Sequence, residues 1–60
     1  VLAEQNNMNA LFNLGLMYEK GISVKQNFQK AYEYYKKAEK LGNKQATFNI
    51  DYLKEKKLIN

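Results

Sequence analysis

Residues 9–18, NALFNLGLMY, recur in altered form at residues 45–54 as QATFNIDYLK. The two stretches agree in the size and polarity of most side chains. Ala10 aligns with Ala46 and Phe12 with Phe48, so the offset between them is 36 residues. Self-similarity at a fixed period of about 20 to 50 residues is typical of repeat proteins. The chain is therefore predicted to contain one structural unit and part of a second.

Each period is predicted to contain two helices. Apolar residues recur every three or four positions, which is the spacing of one face of an α-helix. Helix A is predicted at about residues 7–20 and ends at Gly21. Helix B is predicted at about residues 27–41, with Asn27 as its N-cap and Gly42 as its stop. The apolar face of helix B comprises Phe28, Ala31, Tyr34, Tyr35, Ala38 and Leu41.

Shorter segments flank this unit. Residues 1–6 are predicted to be the end of a preceding repeat helix, because Asn6 aligns with Gly42 and both residue types tolerate the left-handed backbone after a helix end. Residues 43–60 are predicted to contain a third helix capped by Asn43. It is either helix A of a further unit or a C-terminal capping helix. A free three-helix bundle is the alternative, but a bundle does not need two helices that match position by position.

The composition excludes several kinds of chemistry. The sixty residues include no cysteine and no histidine, so no disulfide and no cysteine- or histidine-based metal site can form. Ser23 and Thr47 have no histidine to activate them as nucleophiles. The six acidic residues are scattered, and no glycine-rich phosphate loop is present. We therefore expect no enzymatic activity and no cofactor.

The charge points to a basic surface. The formal net charge is +4, and all ten basic residues are lysines. The absence of arginine, the usual reader of phosphate pairs and guanine edges, disfavours nucleic-acid binding, although the lysine excess keeps it as an alternative function. No apolar run approaches the roughly 18 residues that a membrane span needs. The lysines cluster at Lys36, Lys37, Lys40 and Lys44, and again at Lys54, Lys56 and Lys57.

A set of small, aromatic and glycine residues falls in register over roughly residues 7–42. The set comprises Ala10, Leu14, Gly15, Tyr18, Gly21, Val24, Lys30, Ala31, Tyr34, Tyr35, Ala38 and Gly42. This pattern resembles the Sel-one-like repeat, a relative of the tetratricopeptide repeat with a slightly longer period. The resemblance implies an all-α, right-handed α-α superhelix, of which the chain would hold about one and a half helix-turn-helix repeats.

Two positions show how the unit would pack. Gly15 is expected on the inward side of helix A, where a missing side chain lets two helices approach closely. Asp51 stands in its place in the second copy. A close helix contact there would bury a carboxylate with no evident partner, which is costly.

The resemblance also implies a mode of binding. In such repeats helix A lines a concave groove, so the chain is expected to be a non-catalytic adaptor that presents this groove to a peptide or protein partner. Asn13 and Asn49 would form a ladder that can pair with an extended peptide backbone. A purely structural cap of a longer array is a further alternative. The groove candidates are Asn9, Phe12, Asn13, Leu16 and Lys20 in the first copy, and Gln45, Phe48, Asn49, Tyr52 and Lys56 in the second.

The number of units bears on stability. One and a half repeats fall short of the three or so that solenoids need. We therefore expect neighbouring repeats in a longer chain, or self-association through the apolar residues Val1 and Leu2.

Overall fold

Three α-helices make up the computed structural model, which describes the backbone of residues 2–59 and the side chains of residues 7–59. These are α1 (Leu2–Lys20), α2 (Phe28–Lys40) and α3 (Lys44–Glu55). The described backbone contains no strand, so the all-α prediction is confirmed. The main contacts join α1 to α2 and α2 to α3. Since α2 packs against both of its neighbours, it positions α1 relative to α3.

The predicted N-caps of α2 and α3 are both confirmed. Asn27 Oδ1 accepts a hydrogen bond from Lys30 N at 3.0 Å, and Asn43 Oδ1 accepts one from Ala46 N at 3.0 Å. Each bond satisfies one of the backbone N–H groups that a helix start leaves without an intrahelical acceptor. Gly42, at φ 105°, follows α2 in the left-handed region that was predicted for it.

The C-terminal ends of α1 and α3 have the same backbone geometry. Ile22 N donates to Met17 O at 2.9 Å, and Leu58 N donates to Leu53 O at 2.9 Å. Both are the long bond of a Schellman motif, which closes a helix end over a residue in the left-handed conformation. The two bonds lie 36 residues apart, so the structural repeat extends beyond the stretch in which the sequences match.

Lys57 occupies, at φ 59°, the left-handed conformation that Gly21 adopts at φ 71° in the first unit. A side chain in this conformation costs about 1–2 kcal/mol, and the greater freedom of glycine in the unfolded chain offsets part of that cost. We expect Lys57→Gly to raise the free energy of unfolding by about 0.5–1 kcal/mol, measured by urea unfolding. Lys56→Gly is the matched control, because Lys56 has a right-handed φ of −82°. That variant should lose stability, and equal losses in both variants would contradict the assigned geometry.

α1 begins earlier than the sequence predicts. The expected helix end at Asn6 is absent, because α1 continues without a break from Leu2 to Lys20. Asn6 is followed by neither glycine nor proline, and asparagine inside a helix costs only about 0.7 kcal/mol or less, so no local signal stops the helix. The predicted self-association through Val1 and Leu2 involves side chains outside the described residues. How the chain divides into repeat units stays a prediction.

The core is formed by two matching stripes. On α2 and on α3 the buried residues have the spacing i, i+4 and i+7, which places each set on one helix face. After α3, Leu58 and Ile59 return to pack against the same core. Tyr35 and Leu53 are its largest fully buried side chains. The buried residues are Ala31, Tyr35 and Ala38 on α2, and Ala46, Ile50 and Leu53 on α3.

Candidate binding groove

Gly15 allows α1 and α2 to approach closely, as predicted. It is buried, and a Cβ built on it would lie 2.5 Å from Tyr35 Cδ1. The Tyr35 ring therefore rests directly on the backbone of α1. The Phe12 ring lies beside it, with the centroids 5.6 Å apart and the planes tilted by 39°, an arrangement within the range that aromatic pairs favour.

The Tyr35 hydroxyl joins α2 to α1. It donates to Glu19 Oε1 on α1 at 2.6 Å. Burial raises the pKa of Tyr35 above its ordinary value, and the Glu19 carboxylate raises it further because it accepts the hydroxyl proton. The Asn49 amide on α3 has the opposite effect and lowers the pKa of Tyr35. The hydroxyl is thus protonated at neutral pH and holds the Glu19 side chain in place.

A groove with a volume of about 560 Å³ lies between α1 and α3. Its lining combines apolar and polar side chains, and its volume is within the usual range of ligand sites. Tyr52 is 47% exposed, so the α3 side of the groove is open to solvent. The apolar lining consists of Phe12, Leu16 and Tyr52, and the polar lining consists of Glu19, Lys20, Gln45 and Asn49.

Six of the ten groove residues named from the sequence line this groove. They are Phe12, Leu16, Lys20, Gln45, Asn49 and Tyr52. The other four are exposed side chains that do not line it, namely Asn9, Asn13, Phe48 and Lys56. The two asparagines of the proposed ladder therefore have different surroundings. Asn49 lines the groove and is half-buried, whereas Asn13 is exposed outside its lining.

Glu19 is the groove residue that sequence reasoning missed. No residue near it in the sequence indicated a hydrogen-bond partner, because the tyrosine that donates to its carboxylate is 16 residues away on another helix. One signal could have indicated it. Glu19 follows Gly15 by four residues, which places it on the helix face that Gly15 turns towards α2.

Two lysines of the predicted basic patch at Lys36, Lys37, Lys40 and Lys44 contact neighbouring side chains. Lys36 Nζ lies 3.3 Å from Glu39 Oε1, which is the one ion pair found among the described residues. Lys37 Nζ lies 5.4 Å from the centroid of the Tyr34 ring, within the range of a cation–π contact. The patch therefore presents less unpaired charge than the sequence indicates.

The described residues were also searched for two other kinds of site. Among them, no group of three or more acidic side chains is placed to hold a metal ion. No described helix is both long enough and apolar enough to cross a membrane.

A glycine of α1 lies beneath an aromatic ring of α2, and a further glycine follows each of these two helices. This arrangement is that of an α-helical repeat hairpin. The family model of the Sel1 repeat matches residues 9–43, which is more than half of the chain. The chain belongs to the Sel1 repeat family. Repeats of this family generally mediate protein–protein interactions and are typically non-catalytic. Neither the curated proteins nor the solved structures include a significant match to the chain.

Proposed function

We propose that this chain is an interaction module that binds a peptide segment of a partner protein in the groove between α1 and α3. The observation that carries the proposal is the mixed lining of this groove. Phe12, Leu16 and Tyr52 can bury an apolar side chain of the peptide, which stabilises a complex by about 25 cal/mol per Å² of area removed from water. Gln45 and Asn49 carry both donors and acceptors, so they can pair with the peptide backbone.

The polar end of the groove is already ordered. The Tyr35 hydroxyl bonds one oxygen of the Glu19 carboxylate, so this side chain loses little freedom when a partner binds. Its second oxygen can accept a hydrogen bond from a peptide N–H. Lys20 is exposed at the same end and can pair with a peptide acceptor. The groove thus offers both charge signs next to an apolar wall.

A display library of peptides about twelve residues long, selected on the immobilised chain, tests this proposal. We expect labelled peptides from the selection to bind Tyr52→Ala about tenfold more weakly, because buried tyrosines contribute strongly to interfaces. Gln45→Ala should also weaken binding, because it removes hydrogen bonds to the peptide. Fluorescence anisotropy measures each affinity, and circular dichroism checks that each variant remains helical.

The chain offers a matched control for each groove variant. Ile22 is an apolar residue that is 53% exposed, and Gln29 is an exposed glutamine, and neither lines the groove. Ile22→Ala and Gln29→Ala should bind the selected peptides as the parent chain does. Peptides that bind the groove variants and the control variants equally well would show that the groove is not the binding site.

A further inference from the structure

Among the described residues, two charged side chains line the groove between α1 and α3, and they differ in their freedom to move. Glu19 is half-buried, and its Oε1 accepts the hydrogen bond from the Tyr35 hydroxyl at 2.6 Å. The Tyr35 side chain is fully buried, so it holds the carboxylate in place. Lys20 is exposed, so its ammonium group can turn towards water. The negative charge of the groove therefore has a fixed position, whereas the positive charge does not.

The Glu19 carboxylate has no basic partner within the part of the chain that the structure describes. The one ion pair found there joins Lys36 to Glu39 on α2. Glu19 also lies in the last turn of α1, where the helix dipole contributes a partial negative charge. Cations are favoured near helix C-termini for this reason. The second oxygen of Glu19 is therefore a favourable place for a positively charged group.

An apolar wall leads along α1 to this carboxylate. Phe12, Leu16 and Glu19 have the spacing i, i+4 and i+7, which places them on one helix face, and all three line the groove. The lining residues of α3 carry no charge. Lysine and arginine side chains suit this order, because their aliphatic stems pack on apolar surface while their charged heads reach a polar group.

A peptide that fills the groove must cover Glu19. Removing a carboxylate from water without a cationic partner is costly. A backbone N–H of the peptide can bond the second oxygen but does not neutralise its charge. A hydrogen bond from a charged donor is roughly twice as strong as one between neutral groups. The groove should therefore select peptides by the charge of the side chain that reaches Glu19.

We propose that the groove binds peptide segments that carry a lysine or an arginine next to an apolar residue. The apolar side chain packs on Phe12 and Leu16, and the basic head pairs with the Glu19 carboxylate that Tyr35 holds in place. This inference rests on the proposed peptide-binding function and adds to it the charge of the peptide that is recognised.

Lys20 and the net charge of +4 favour the opposite choice, an acidic peptide. Exposed charges are largely screened beyond about 8 Å at physiological ionic strength, so the lysines outside the groove have little influence on a bound peptide. Lys20 stays hydrated when the groove is filled, because it is exposed. The half-buried Glu19 carboxylate is covered, so its charge has the larger effect on which peptides bind.

The display library of peptides, selected at physiological ionic strength, gives the first test. We expect lysine and arginine to be enriched at one position beside an apolar residue. In the tightest peptide this basic residue is then replaced by norleucine, which has the aliphatic stem of lysine without its amine. Both peptides are titrated by fluorescence anisotropy with the parent chain and with Glu19→Gln. That variant removes the charge but keeps an oxygen that can accept the hydrogen bond from Tyr35.

The parent chain should bind the basic peptide about tenfold more tightly than the norleucine peptide, because the peptide shields the ion pair from water. Glu19→Gln should bind the two peptides with affinities within about twofold of each other. Glu33→Gln is the matched control, since Glu33 is exposed on α2 outside the groove lining and its loss changes the net charge equally. It should keep the tenfold preference. A general loss of folding would weaken both peptides alike and could not remove the preference.

Three results would overturn this inference alone. They are equal binding of the two peptides by the parent chain, an unchanged preference in Glu19→Gln, and enrichment of acidic residues whose contribution is lost in Lys20→Gln. In each case, weaker binding by Tyr52→Ala than by Ile22→Ala would still support the groove as the peptide site. Equal binding of the selected peptides by Tyr52→Ala and Ile22→Ala would instead overturn the proposed function and this inference together.

Discussion

Gly15→Ala is expected to lower the free energy of unfolding by about 2 kcal/mol. The added Cβ would lie 2.5 Å from Cδ1 and 3.1 Å from Cζ of Tyr35. The Tyr35 side chain is fully buried, so it cannot move aside without disturbing the core. Overpacking of this kind costs about 1–3 kcal/mol or more, and the better helix propensity of alanine returns only about 0.5–1 kcal/mol.

This loss is a large share of the free energy of unfolding, because the domain is small. A single core in a chain of this size rarely supplies more than about 3–5 kcal/mol, so a net loss of about 2 kcal/mol removes a substantial part of the stability. We expect the midpoint of thermal unfolding, followed by circular dichroism, to fall by about 10 °C. Asp51→Ala is the matched control, since this residue is exposed at the equivalent position of α3. It should change stability by no more than about 0.5 kcal/mol.

A double variant separates the close contact from a general effect on α1. All variants are compared in a stabilising osmolyte, because Tyr35→Ala is expected to be largely unfolded without it. In the Tyr35→Ala background the atoms that clash with a residue 15 side chain are absent. Gly15→Ala should then cost little, and the two changes should be strongly non-additive. If Gly15→Ala lowers stability equally in both backgrounds, the contact with the tyrosine ring is not the cause.

Tyr35→Ala is the second change with a large expected effect. Tyr35 is one of the two largest fully buried side chains, and it contacts α1 through its ring and its hydroxyl. Removing a buried aromatic side chain typically lowers the free energy of unfolding by about 3–5 kcal/mol. That loss is comparable to the whole stability of a domain of this size. Urea unfolding followed by circular dichroism should therefore show little or no folded baseline for this variant.

Tyr35→Phe separates the stabilisation by the Tyr35 ring from the stabilisation by its hydroxyl. The ring contacts with Gly15 and Phe12 are kept, and the bond to the Glu19 carboxylate is lost. Hydrogen bonds to charged groups contribute about 1.5–3 kcal/mol, so this variant should lie between the parent chain and Tyr35→Ala. Tyr32→Phe, a half-buried position on the same helix, is the control and should stay within about 0.5 kcal/mol of the parent. Equal stability of Tyr35→Phe and the parent chain would show that the carboxylate bond contributes nothing.

The helix ends could be predicted because their signals are local. Asn27 and Asn43 cap helices through backbone N–H groups three residues away, and Gly42 ends α2 by adopting a positive φ. The start of α1 could not be predicted in the same way. Asn6 aligns with Gly42, yet an asparagine is compatible with a continuing helix and does not by itself decide between the two outcomes.

The groove was predictable only in outline. The 36-residue register named six of its lining residues. Of the five equivalent pairs, however, one pair, Leu16 and Tyr52, has both members in the lining. Register alone could not separate Asn49, which lines the groove, from Asn13, which is exposed outside the lining. Nor could it find Glu19, whose partner lies on another helix.

The sequence by itself determined α2 and α3 with their N-caps, the C-terminal end of α1, the 36-residue repeat and the place of Gly15 at a close helix contact. These features depend on residues within about one helical turn of each other, or on a spacing that can be counted. Only the tertiary structure decided the width of the groove, the bond between Tyr35 and Glu19, and the exposure of Phe48 and Asp51. Those properties depend on how α1 and α3 both pack against α2, and hence on side chains distant in sequence that become neighbours only when all three helices are in place.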